Sequence, residues 1–343
     1  MLVGRGITDD LKWKEISLPV RYGGMGLNVS YIDETTRRQY HTSKLLTYSL
    51  KTKLKNQENG LPPKPNMSEF KGDNKKVCTR RLEELIEAEQ QPSQRQRMRE
   101  KQLQGTGNWL SAMPIRASGQ LLTKSEWQDA VRLRLGLEVA SQPTKCACGR
   151  PFTAIHTQEC QRGGYIIMRH NKVRDFLAKK VAPLFKDTAV EPALNPLNGE
   201  SLAAGANTSN EARSDIRIKG YLQEYHNTFF DVKVIHLQSS AHVLQKPIEA
   251  LKKCEQQKEA KYKERINKIE NGSFIPVVFS SSGGRAPQAN MLLSKLITKI
   301  ATKRKEPRQE VAARIATQLS FFFLKHSILC LKGQRPRPVE HTE

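Results

Sequence analysis

Residues 228–235 read Thr-Phe-Phe-Asp-Val-Lys-Val-Ile, and this run restricts the fold more than any other stretch of the chain. β-branched and aromatic residues in so short a segment predict a β-strand. Phe229, Phe230, Val232 and Val234 fall on both faces, so the strand is expected to be central and covered on each side. An Asp231 inside it would be costly without a partner. Other elements gather around it. Asp215-Ile216-Arg217-Ile218 alternates as a half-buried strand does, and 274–280 (Phe-Ile-Pro-Val-Val-Phe-Ser) reads as another strand. Residues 169–185 place Val173, Phe176, Leu177, Val181 and Leu184 on one helical face. A charged helix is expected over 246–270, stopped by Asn271-Gly272, and two more over 287–303 and 308–331. This order predicts an α/β domain, a mixed central sheet flanked by helices, over 165–335.

The N-terminal side is expected to be mainly helical. Residues 1–50 hold a Gly-rich turn, Leu18 to Leu27, and a helical tendency after Ser30. Within 51–104, the stretch to about Asn74, with Leu61-Pro62-Pro63-Lys64-Pro65, reads as a linker. Residues 76–104 are highly charged, and Leu82, Leu85 and Ile86 make one apolar stripe. They predict an exposed helix pair broken near Pro92. Residues 105–145 form a helical segment, with Leu121, Trp127, Val131 and Leu135 at near-helical intervals.

Charge speaks to partners. The 343 residues carry 57 Lys and Arg against 34 Asp and Glu, a net +23. Nucleic acid is the commonest polyanion to answer such an excess, an anionic membrane surface being the rival. The longest apolar stretch, Leu319 to Leu331, is broken by Lys325 and His326. It falls short of the ~20 residues a bilayer requires. Arg5, Asp9 and Asp10 leave no apolar signal core. A soluble intracellular protein is expected, with no membrane partner. Cys78, Cys254 and Cys330 stand alone among six cysteines, which suits a reducing compartment rather than a disulfide framework.

The other three cluster as Cys146-x-Cys148-x7-His156-x3-Cys160, over residues 146–164 bounded by Gly163-Gly164. Three thiolates and one imidazole match the four-ligand tetrahedron of a structural zinc knuckle. The competing reading is three reduced thiols beside an incidental histidine.

The acids make a second constellation. Asp215 and Asp231 lie sixteen residues apart on neighbouring predicted strands, close enough in a hairpin to meet on one sheet face. Lys233, two residues on, points the same way. Two carboxylates suit Mg²⁺, and an ammonium beside the metal can orient water and counter phosphate charge. This is the layout of the PD-(D/E)XK, restriction-endonuclease-like core, with Glu191 as a third acid. The alternative is a strand whose charges merely face solvent. Lys258 and Tyr262 share a helical face among Lys252, Lys253, Lys261 and Lys263. From Lys246 to Arg337, 20 Lys and Arg stand against 7 Asp and Glu. Such a surplus suits either a solvated surface or phosphate binding.

Four motifs in order carry a resemblance: Leu18-Pro19-x-Arg21-x-Gly23-Gly24-x-Gly26-Leu27; the Cys146/Cys148/His156/Cys160 cluster; Arg169-His170-x-x-Val173-Arg174; and Arg213-x-Asp215-Ile216 followed by Asp231-Val232-Lys233. In this the chain resembles the C-terminal region of a non-LTR retrotransposon polyprotein of the restriction-like-endonuclease class. The resemblance implies that residues 1–50 follow a reverse-transcriptase palm. It implies that Asp215, Asp231 and Glu191 hold Mg²⁺ and that Lys233 is the catalytic lysine. Lys258 and Tyr262 would sit near the cut strand. Arg169, His170 and Arg174 would touch nucleic acid, DNA and possibly RNA, although Arg174 suits packing against the sheet equally well; the basic surplus of the long helix adds Lys253 and Lys261 as phosphate contacts. A DNA-nicking endonuclease in the nucleus, or else the cytoplasm, is the expected function. A catalytically inactive nucleic-acid-binding remnant is the alternative. Asp9-Asp10 lacks the hydrophobic hairpin of a polymerase palm, so no RNA copying is expected.

Overall fold

The computed structural model describes residues 10–27, 67–113, 115–138, 143–195 and 212–334. In it the chain builds one four-stranded sheet, in the order β1 (Thr188–Val190), β2 (Ile216–Lys219), β3 (Asn227–Ile235), β4 (Ser273–Ser280). The helices are α1 (Asp10–Ser17), α2 (Met67–Ala88), α3 (Pro92–Glu100), α4 (Lys124–Leu135), α5 (Ala154–Thr157), α6 (Tyr165–Val181), α7 (Pro247–Lys268), α8 (Pro287–Arg304) and α9 (Arg308–Gly333). β1, β2 and β3 are antiparallel to one another in turn, and β3 and β4 are parallel, so the sheet is mixed. A parallel pair requires a long crossover, and α7 supplies it. Pro276 cannot donate to a ladder, and it is tolerated because β4 is an edge strand.

The two-residue alternation of β3 decides what lies on each face. Phe230 and Val232 join Ile216, Ile218, Val277 and Phe279 in a core beneath α6, α8 and α9. Phe229 and Ile235 face the other way, toward Ala250, Leu251 and Ile266 of α7. The central strand is therefore covered on both sides, and Asp231 lies in the layer between the sheet and α7. At the end of α7, Asn271 adopts a φ of +46° and the Gly272 N–H returns to the Ile266 carbonyl at 3.1 Å. A β-carbon on Gly272 would strike the Phe229 ring, so glycine is required there.

The chain divides into two compact units, Gly6–Gln90 and Gln91–Glu343, with Met1–Arg5 grouped with the second. In the first, α1 packs on α2. Leu82, Leu85 and Ile86 are buried, and the segment after Leu18 turns through left-handed glycines at Gly23 and Gly26. In the second, α9 runs past α4, α5, α6 and α8 and so ties residues 105–145, 146–164 and the sheet into one body.

Two expectations need correction. α2 begins at Met67, inside the stretch read as linker. α3 is not exposed, because Gln96, Arg97, Met98 and Glu100 are buried and the helix packs on α7. The helical tendency after Ser30, the linker over 51–66, Asp9 and the residues beyond 334 lie outside the described residues. Among those described, no helix is long and apolar enough to cross a membrane.

Candidate functional site

The cysteine cluster is assembled by a tight loop and one short helix. The Cys146 N–H bonds the Arg150 carbonyl at 2.8 Å, and the Gly149 N–H bonds the Cys146 carbonyl at 2.8 Å, with Gly149 at a φ of +87°. Thr153 caps α5 by accepting from the His156 N–H at 3.0 Å, which turns His156 toward the loop. Ligand atoms of Cys146, Cys148, His156 and Cys160 all lie within 4.8 Å of one another. Cys146 and Cys160 sulfurs are 3.8 Å apart, and Cys148 Sγ is 3.1 Å from His156 Nε2. A tetrahedron with zinc–sulfur bonds of ~2.3 Å has edges of roughly 3.5–3.8 Å. The donor set and its spacing thus fit a metal such as zinc.

The thiols are unequal. The backbone N–H of Arg150, with help from His156, lowers the Cys148 thiol to about 6, whereas burial pushes Cys160 up to about 11. A bound divalent cation would hold all of them as thiolates. Sequence reasoning missed Gln334. At the end of α9 its side-chain oxygen lies 3.4 Å from Cys146 Sγ and its carbonyl accepts from the Ala147 N–H. Nothing in its local sequence marks it, because the contact spans 188 positions.

The acids meet just before β2 begins, alongside the middle of β3. Ile216 pairs with Phe230, so the register sets Asp215 opposite Asp231. Beyond that point β3 has no neighbour on the β2 side, and side chains satisfy its backbone. The Val232 N–H donates to Asp215 Oδ2 at 2.6 Å, and His170 Nε2 lies 2.9 Å from the Val232 carbonyl and 3.3 Å from Asp215 Oδ2. Both His170 ring nitrogens face oxygens, the second being Asn171 Oδ1 at 3.2 Å. Burial opposes the charge, but the Asp215 hydrogen bond and carboxylate outweigh it and raise His170 to about 9. Asp231 receives the Lys258 ammonium from α7 at 2.6 Å. Burial raises its carboxyl above the usual range, Asp215 adds to this, and Lys258 opposes it.

The remaining candidates divide clearly. Lys233 shares the Asp231 face but makes no ion pair among the described residues. Tyr262 packs at a 40° tilt against Phe274 and lies beneath the ammonium groups of Lys258 and Lys261, 5.3 and 4.9 Å from its ring centre. Lys253 and Lys261 are exposed. Glu191 is turned to Arg174 and lies 3.9 Å from Arg213, with a φ of +49°, and is not gathered with the other two acids into a three-residue cluster. Arg174 spends its guanidinium on Glu191 and Asp175, the packing alternative raised for it. Arg169 does not reach a nucleic acid in this fold. It is 1% exposed and is held by the Gln158 side chain and carbonyl, both at 3.1 Å.

No family model and no curated protein matches the sequence. The assignment therefore stands on geometry: a mixed α/β domain that presents a four-ligand Cys/His group and, separately, a facing pair of aspartates flanked by a histidine and a lysine.

Proposed function

We propose that this chain is a Mg²⁺-dependent DNA endonuclease domain with a PD-(D/E)XK-like core and a structural zinc knuckle, derived from a retrotransposon. The observation that carries the reading is the register that opposes Asp215 and Asp231 at the start of β2, with Lys258 at 2.6 Å from the second acid. Mg²⁺ is held by one or two carboxylates together with waters and substrate phosphate, so two acids suffice. When bound there, the ion would polarise the phosphodiester and acidify a water. Lys258, displaced from Asp231, and Lys233, on the same sheet face, would then counter the charge growing on the phosphate. His170 fixes Asp215 in place and is a positioning residue. Lys253 and Lys261 would hold the strand by its phosphates.

The second reading is a nucleic-acid-binding protein without catalysis. It is favoured by the engagement of both acids: Asp215 caps the Val232 N–H, and Asp231 is neutralised by Lys258. Nicking of supercoiled plasmid separates the two. The nuclease reading predicts Mg²⁺-dependent nicking that Asp231→Ala reduces by at least about a hundredfold, a loss on the order of 3 kcal/mol in the barrier. Plasmid binding without nicking by the parent chain would select the second reading, and nicking untouched by the substitution would remove the assigned centre.

A further inference from the structure

The turn that carries the chain from β4 into α8 reads Ser281-Ser282-Gly283-Gly284-Arg285-Ala286. Hydrogen bonds fix it on both sides of the arginine. The Ser280 N–H donates to the Gly284 carbonyl at 2.7 Å, and the Ala286 N–H donates to the Val278 carbonyl at 3.1 Å. Ser280 Oγ accepts from the Gly284 N–H at 2.9 Å. The Arg285 side chain lies against the loop that follows α3. A β-carbon on Gly105 would stand 3.0 Å from Arg285 Nε and 2.5 Å from the Gly283 carbonyl. Glycine at 105, with a φ of +109°, leaves the guanidinium its room.

Arg285 is 6% exposed, and its Nε is buried without a hydrogen-bond partner. The whole guanidinium makes no hydrogen bond and no ion pair among the described residues. The other buried arginines differ. Arg97, Arg132, Arg134 and Arg169 each donate to a carbonyl, and Arg174 donates to carboxylates. Burial, with no neighbouring carboxylate to oppose it, draws the pKa of Arg285 down to about 10, so the group stays charged at neutral pH. A buried charge left unpaired is costly. The acids that reach this turn are spent elsewhere. Glu100 accepts from Ser282 and Gln238, and Glu255 accepts from the Gln288 N–H at 2.9 Å in the first turn of α8. The N–H groups of a guanidinium form a planar fork that two oxygens of an oxyanion match.

We propose that Arg285 anchors a binding site for a phosphate group at the turn between β4 and α8, beside Gly105. A phosphate brings about two negative charges and several acceptor oxygens, more than a carboxylate offers a buried cation. So small an opening admits a single group and not the length of a strand. The group is either inorganic phosphate or the terminal phosphate of a nucleic-acid end. The site does not rest on the nuclease reading.

Calorimetric titration of the full chain with inorganic phosphate, at an ionic strength held constant with potassium chloride, is the test. A saturable site is expected, with acetate at least about tenfold weaker. Arg285→Met should weaken phosphate at least about tenfold, and Arg285→Lys, which keeps the charge without the fork, should weaken it too. Lys253→Ala, on the exposed surface of α7, should leave the affinity unchanged. If Arg285→Met fails to fold, the parent's Tm carries the same information, rising with phosphate and not with acetate at matched ionic strength. Displacement of phosphate by a 5′-phosphorylated oligonucleotide, and not by its 5′-hydroxyl counterpart, identifies a strand end. Displacement by neither identifies free phosphate. Absence of saturable phosphate binding, or binding indifferent to Arg285→Met, overturns the proposal.

Discussion

Asp231 is where fold and chemistry pull in opposite directions. Burial and the facing Asp215 both disfavour its charge, and Lys258, helped by His170, opposes them. Asp231→Asn keeps the volume and removes the charge, so stability should stay level or rise by about 1 kcal/mol while nicking is lost. Urea unfolding and plasmid nicking, measured on the same variant, check the pair of outcomes. A purely structural ion pair would instead lose stability. His236 carries a pH prediction. Burial, then the charges of Arg169 and His242, hold its pKa near 3, below the unfolded value of about 6.5. The unfolded chain therefore binds a proton that the folded chain refuses, and stability falls as pH drops through that window. Between neutral pH and pH 5 the loss from this residue is about 2 kcal/mol, and His236→Leu should abolish that share. Denaturant melts of parent and variant across the window would show it. At this scale the sequence exposes the acids, because strand alternation marks them. It hides their partners: His170 and Lys258 arrive from helices on opposite faces of the sheet. Arg169 misleads for a related reason, since the Gln158 carbonyl that receives it has no signature in the local pattern.

The elements differ in how much of themselves they show. β3 and α7 are legible because their cores are local: a doubly apolar strand, and a helix with proline at its start and Asn271-Gly272 at its end. The burial of α3 is not, because Gln96 and Arg97 are satisfied by carbonyls of His242, Gln245 and Arg134 far along the chain. The start of α2 is obscured by Gly72, Asp73 and Asn74, poor helix formers that stand inside the helix. α4 carries a full capping box, Thr123 with Glu126. Thr123→Ala should cost about 1 kcal/mol in urea unfolding. The Cys/His group is joined to the end of α9 through Cys146, Phe152, Cys160 and Leu331. Chelation of zinc should release one ion per chain. Hydrogen exchange should then quicken in 146–164 and in the last turn of α9 while β3 keeps its protection.

Over the whole molecule, a net charge of +23 is the basis for proposing a polyanionic partner, but it does not say where such a partner would bind. Under the proposed nuclease reading the surface to test is α7, where Lys253 and Lys261 are exposed on the helix that also carries Lys258 to the acid pair. Replacing either of these exposed lysines with alanine should weaken DNA binding uniformly across sequences and lower the slope of log K against log salt by up to about one. The chain order of the layers was legible in the sequence, since the alternation of helices and strands implies a covered sheet. The division at Gln90–Gln91 shows in the sequence only as the helix break expected near Pro92, because the highly charged composition on either side is alike. The central claim is that the aspartate pair at the start of β2 holds a divalent ion. Crystals soaked in Mn²⁺ would test it by anomalous diffraction. The account predicts one ion between the Asp215 and Asp231 carboxylates, with the Lys258 ammonium moved off Asp231. Lys258 still seated on Asp231, with no anomalous peak between the two acids, would contradict it.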